Sequence, residues 1–276
     1  MINRLKYATI ADIGIYDLVF YDELKVEENI RFAKENGITY LPAKNRKEVY
    51  LLNDGKFEKT QLNDVLKINP YDRVFDKDTL EKFKQVNHNE IRFIVENELI
   101  KGVVHIVDYN NEFLQVQLYR ALFLFESNVR KILVANRKTN DDFIEWIAKQ
   151  IELVENNEHW KKRYRELKPK NIDVRAEKEK LREELNPFQT FYLSDLLQYA
   201  ADLNIVNLTS DEIRNIGKVR NQIAHSVDFT SSNTDTSGNL IFNFEELSKF
   251  VKNIGEFFIA YDDLLEKVEN HNQMLD

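Results

Sequence analysis

The sequence predicts two domains, an α/β module over residues 1–111 followed by an all-α helical bundle over residues 112–276. Three observations carry this expectation. A chain of 276 residues is long for one ordinary domain and comfortable for two. Up to Asn111, short helical patterns alternate with short β-type runs. Beyond it, apolar residues recur at three- and four-residue steps over long stretches and strand signals vanish. With 43% hydrophobic and 12% aromatic residues, both parts have enough apolar side chains to bury a core, which excludes a disordered chain.

In the first part, Val26 to Asn36 reads as a helix closed by Gly37. The strand Ile38 to Leu41 follows, then Pro42. Glu48 to Leu52 is a second strand, ending in the turn Asn53-Asp54-Gly55. The same order then recurs. Asp78 to Val86 is helical, Ile91 to Val95 is a strand, Glu96-Asn97-Glu98 turns, and Leu99 to Val107 is a strand. Two copies of helix, strand, turn and strand predict an internal repeat.

The second part opens with long helices, Phe113 to Asn136 and Asp141 to Asn156. His159 to Leu185 is densely charged and helical, interrupted at Pro169. Asn186-Pro187 breaks the chain before the helix Gln189 to Leu203, and Phe244 to Glu269 closes the bundle.

Between them lies the best-specified helix of the chain. Thr209-Ser210-Asp211-Glu212 reads as a capping box, with Leu208 and Ile213 as its hydrophobic staple. Asp211 and Glu212 complement the positive end of the helix dipole. Ile213, Ile216, Gly217, Ile223, Ala224 and Val227 form an apolar stripe, and Arg220 falls in its middle on the helical wheel. A guanidinium buried without partners costs several kcal/mol or more, so Arg220 implies either a dedicated anionic partner or a stripe that lines a cleft. A second line of Arg214, Lys218, Asn221 and His225 places cations, an amide and an imidazole on one flank. Such a flank suits phosphate. The polar run Thr230 to Asn239, with Gly238, reads as an exposed loop, which puts His225 near solvent in the last helical turn, where the dipole favours an imidazolium.

Composition narrows the chemistry. A formal charge of -8 argues against a protein that coats nucleic acid nonspecifically, without excluding a local cationic site. With no cysteine there is no disulfide, thiolate nucleophile or cysteine-bound zinc. His88, His105, His159, His225 and His271 show no metal-ligand spacing. Residues 1–7 lack the apolar run of a signal peptide or membrane span, so a soluble, cytoplasmic protein without a membrane partner is expected.

The first part resembles a tandem pair of CBS repeats, most clearly over Leu99 to Asp108 in the second copy. The resemblance implies a regulatory adenine nucleotide (AMP, ADP or ATP), with Asp108 at the ribose-contacting aspartate. His105 stands where that family usually has a phosphate-contacting Ser or Thr, and the first copy lacks a matching aspartate, which implies one site. Asp108 alone also fits a turn former or helix cap. The second part resembles a HEPN domain. The matching residues are Arg220-Asn221-Gln222-Ile223-Ala224-His225, an Arg-polar-x-x-x-His motif, and the opening helix Leu118 to Arg130.

The HEPN resemblance implies a homodimer whose motif helices meet at a twofold axis, and an RNA-cleaving site that needs no metal. RNA supplies its own nucleophile, since the 2'-OH attacks the adjacent phosphorus and leaves a 2',3'-cyclic phosphate. His225 is then the acid/base, Arg220 stabilises charge on the phosphorane oxygens, and Asn221 orients the phosphate or fixes the imidazole. Lys218 and Arg214 are substrate-positioning candidates. Glu126 is placed with them, or as the ion-pair partner of Arg220. His225 as a plain helix-end histidine is the commoner fate of such a residue.

The basic run Lys161-Lys162-Arg163-Tyr164-Arg165, with Lys168 and Lys170, is interleaved with Glu166, Glu177, Glu179, Glu183 and Glu184. A solvated helix face fits it better than an RNA track. Trp146 and Trp160 fit core or seam positions. The expected function is a nucleotide-regulated, metal-independent endoribonuclease of stress response or antiviral defence. The alternatives are a noncatalytic RNA- or protein-binding regulator and a toxin held by a cognate antitoxin.

Overall fold

The computed structural model describes residues 2–84, 91–153, 157–167, 185–225, 228–230, 233–234 and 240–273. The interruption expected at Pro169, Lys168 and Lys170, the carboxylates of Glu177, Glu179, Glu183 and Glu184, His88, Val227 and most of the loop around Gly238 lie outside the described residues. The chain forms two compact units. The first comprises Met1–Ala121 with Asn221–Gly255, the second Leu122–Arg220 with Glu256–Asp276.

The first unit holds two three-stranded sheets. Strands β1 (Tyr40–Pro42), β2 (Glu48–Asn53) and β3 (Lys56–Gln61) form an antiparallel meander behind the helix Val26–Glu35. Gly37 takes φ 62, and the Ile38 N–H returns to the Ala33 carbonyl at 2.8 Å, a left-handed helix ending. Asp54 (φ 45) and Gly55 (φ 77) make the two-residue turn between β2 and β3, where Asn53 pairs with Lys56. The second sheet has β4 (Lys67–Ile68) parallel to β5 (Arg92–Glu96), and β6 (Leu99–Val104) antiparallel to β5. The helix Lys77–Lys84 joins β4 to β5, as a parallel pair requires a crossover. Val49, Leu62, Leu66, Phe93 and Ile100 bury together and give both sheets one core.

The predicted order of helix, strand, turn and strand occurs twice, as Val26–Glu35 with antiparallel β1 and β2 and as Lys77–Lys84 with antiparallel β5 and β6, but the copies differ in where the tight turn falls and in their third strand. In the first copy the tight turn follows the second strand and leads into β3, whereas in the second it joins β5 directly to β6. One sheet is wholly antiparallel and the other contains a parallel pair. Strand β6 also stops at Val104, and Ile106–Asn110 is a 3-10 turn. The coarse expectation holds, with sheets in the N-terminal part and a mostly helical C-terminal part. Its one departure among the described residues is the small ribbon β7 (Asn233–Thr234) with β8 (Leu240–Ile241).

Among the described residues, the helices Glu112–Ala135, Asn140–Leu153, Glu158–Leu167, Leu193–Asp202, Ser210–Ala224 and Phe244–Gln273 follow. The second unit is built on aromatic packing. Phe125 meets Phe257 at 5.3 Å between ring centroids, and Phe143 lies against Trp146, Phe191 and Tyr199. Trp146 also packs on Trp160 and donates its indole N–H to Asp202 at 3.0 Å, so the tryptophans serve the core.

The basic run on Glu158–Leu167 is a solvated face only in part. Lys161 pairs with Glu158 at the surface. Arg163 is instead 5% exposed, with Nε on Asp195 at 2.7 Å, Nη1 on Glu166 at 2.7 Å and Tyr192 stacked 3.7 Å away.

Candidate functional site

The motif helix Ser210–Ala224 begins as its sequence demands. The Thr209 N–H and Oγ1 both donate to the Glu212 carboxylate, at 2.8 and 2.7 Å, and the Glu212 N–H returns to Thr209 Oγ1 at 3.3 Å. Its buried stripe is Ile213, Ile216, Val219 and Ile223. Val219 is fully buried, while Arg220, the next residue in the chain, is half-buried and Ala224 is exposed. The expectation that Arg220 occupies a core position is therefore corrected. A turn of 100° per residue separates the two side chains, and valine takes the core. The stripe is consumed inside the chain and is not left as a seam.

The second expected line is what the helix presents to solvent. Arg214, Lys218, Asn221 and His225 are all exposed. Arg214 is paired with Asp211 at 2.8 Å and Lys218 lies 3.4 Å from the Asn215 amide oxygen, so both cations have neighbours on their own helix. Asn215 in turn donates to Glu256 at 2.9 Å. Glu126 forms an ion pair with Arg130 one helical turn on, and Arg130 also donates to the Phe188 carbonyl. Glu126 is thus a bundle brace in this structure. Asn221 accepts the His225 N–H on its backbone carbonyl at 3.1 Å, and His225 itself is exposed just past Ala224.

In the first unit, the chain beyond His225 is seized within a few residues. Asn110 Oδ1 accepts the Phe229 N–H at 2.7 Å, and its Nδ2 donates to Asp228 at 2.6 Å and to Thr230 Oγ1 at 2.8 Å. Asp228 Oδ1 also accepts the Thr230 N–H and hydroxyl, at 2.7 and 2.8 Å. Phe229 stacks on Phe250 at 3.9 Å, and Thr230 is wholly buried.

Asn110 ends the 3-10 turn that carries the other two predicted residues. The His105 N–H donates to Asp108 Oδ2 at 2.8 Å, and the Val107 N–H donates to His105 Nδ1 at 3.2 Å. His105 and Asp108 therefore cap their own turn. The turn's middle is pinned by Tyr109, fully buried, whose hydroxyl donates to the Val74 carbonyl at 2.9 Å.

Burial pushes the Asp108 carboxyl up to about 6, overriding the His105 N–H, which favours the carboxylate. Burial also lowers His105, aided by the positive Arg92. Arg92 is itself fully buried and donates Nε and Nη2 to the Lys82 carbonyl at 3.0 and 2.7 Å, near the end of its helix.

The structure thus gathers Asn221 and His225 on one helix end, and His105 and Asp108 in one turn. Asn110, Asp228 and Val219 escaped the sequence reading, and Thr230, expected to open an exposed loop, is instead wholly buried. His105-x-x-Asp108 has the spacing of a capping box, a signal that could have shown the turn's self-sufficiency. The second unit also has an open cleft of about 330 Å3, lined by Asn136, Asn204, Lys267, Asn270 and apolar neighbours, none of them a predicted site residue. Among the described residues, no three His, Asp or Glu side chains gather so as to hold a metal ion, and no helix is long and apolar enough to cross a membrane. No family model, curated protein or solved structure compared with the chain matches it.

Proposed function

We propose that the protein is a metal-independent endoribonuclease acting through Arg220, Asn221 and His225. The observation that supports this most is the solvent-facing row of Arg214, Lys218, Asn221 and His225 along one helix, because none of these side chains is spent on the core. His225 takes the proton of the RNA 2'-OH as its oxygen attacks phosphorus. The bond to the 5'-oxygen breaks, and that oxygen leaves with a proton from water or from the imidazole of a second copy. Arg220 stabilises the phosphorane oxygens, which gain charge as the bond forms. DNA lacks the 2'-OH and is not a substrate. The active form is a homodimer in which two such rows face one RNA strand.

The regulatory ligand in this proposal is an adenine nucleotide at Asp108 and His105. A ribose hydroxyl there competes with the His105 N–H for one carboxylate, so nucleotide binding and the turn's own cap are linked. The noncatalytic regulator is the second reading, favoured by the pairing of Arg214 with Asp211, which withdraws a cation from the row. The two part in one experiment. Cleavage that survives EDTA and disappears in His225→Ala supports the enzyme, whereas RNA binding without turnover supports the regulator.

A further inference from the structure

We propose that Asn110 is a positioning residue for His225, holding the outgoing end of the motif helix against the turn that carries Asp108. The inference deepens the ribonuclease reading and rests on it for its catalytic meaning. Its geometric part stands on its own.

An imidazole that must meet a 2'-OH needs its backbone held on both sides. On the helix side, the His225 N–H is fixed to the Asn221 carbonyl. On the other side, only two residues separate His225 from Asp228. An extended chain spans at most about 3.6 Å per residue, so fixing Asp228 confines the His225 Cα to within roughly 11 Å of it. What fixes Asp228 is one side chain from far away in sequence. Asn110 uses its amide oxygen on the Phe229 N–H and its amide nitrogen on Asp228 and Thr230. An amide is the one neutral group with an acceptor and two donors on a single fork, and all three are used here.

Asn110 can hold because its own turn is rigid. Tyr109 is anchored on Val74, His105 and Asp108 cap the start, and Gln115 donates to the Asn110 carbonyl at 3.1 Å. Only Tyr109 separates Asp108 from the clamp residue Asn110, and Asp228 stands three residues beyond His225.

The test compares wild type, Asn110→Ala, Thr230→Val and His225→Ala in the full chain. The His225 imidazole resonance, assigned by its loss in His225→Ala, is followed by NMR beside that of His159 as a control. Cleavage in EDTA and RNA affinity are measured in parallel. Asn110→Ala should shift or broaden the His225 resonance with His159 unmoved, and should lower kcat about 10- to 100-fold with RNA Kd within about twofold. Thr230→Val removes two of the clamp's hydroxyl contacts and should act in the same direction, which keeps the test open if Asn110→Ala fails to fold. An unmoved His225 resonance in both variants overturns the proposal. If wild type does not cleave RNA, the ribonuclease reading fails, while the resonance still decides whether Asn110 positions His225.

Discussion

Asp108→Asn should stabilise the protein, and only at neutral and alkaline pH. The folded state buries the Asp108 carboxyl and raises it from its ordinary value of 3.8 to about 6. At about 1.4 kcal/mol per pH unit, that rise corresponds to about 3 kcal/mol against the ionised form. The sign follows from the folded value lying above the unfolded one. The protonated group's contribution is fully present below about pH 3.8, is lost as pH rises through 6, and stays lost above it. Asparagine keeps an oxygen to accept the His105 N–H and carries no charge. After allowance for partial exposure of the turn, the variant should gain about 1–3 kcal/mol over wild type at pH 8 and nothing at pH 4.

His105 works in the opposite sense. Its folded value is lowered, so its contribution is present above its ordinary pKa and is lost as pH falls. It is common to both proteins and cancels in the difference. Urea denaturation of the two proteins at pH 4, 6 and 8 measures this. A gain at pH 8 no larger than at pH 4 would refute the claim that burial raises this carboxyl.

Two further outcomes are expected. Val219→Ala should cost about 2 kcal/mol in urea denaturation, since it hollows a fully buried position of the motif helix; a cost below about 0.5 kcal/mol would mean that the stripe is not packed as described. Light scattering at micromolar concentration should give about twice the chain mass of 32.8 kDa, and a monomer would remove the homodimer from the proposed mechanism.

Local features were legible in the sequence. Thr209 and Glu212 are three residues apart and make a cap whatever the rest of the chain does, so the motif helix began where the pattern placed it. Long helices such as Glu112–Ala135 were legible from periodicity. Val219 was overlooked because it adjoins Arg220, and an anomalous charge on a wheel draws the stripe toward itself. Strand β3 was hidden because Lys56–Gln61 has one apolar residue, Phe57, and shows no alternation on its exposed edge. The clamp was beyond reach. Asn110 and Asp228 are 118 residues apart, and neither carries a local signal of the other. Asp108 matched a ligand-contact position by resemblance, while the three-residue spacing to His105 already allowed a cap.

The central claim is tested most directly by incubating purified protein with single-stranded and structured RNA in EDTA, beside His225→Ala. The account predicts cleavage by wild type alone, with 2',3'-cyclic phosphate ends, and a loss of about 100-fold or more in the variant. Equal cleavage by both proteins, or none by wild type with or without an adenine nucleotide, would contradict it.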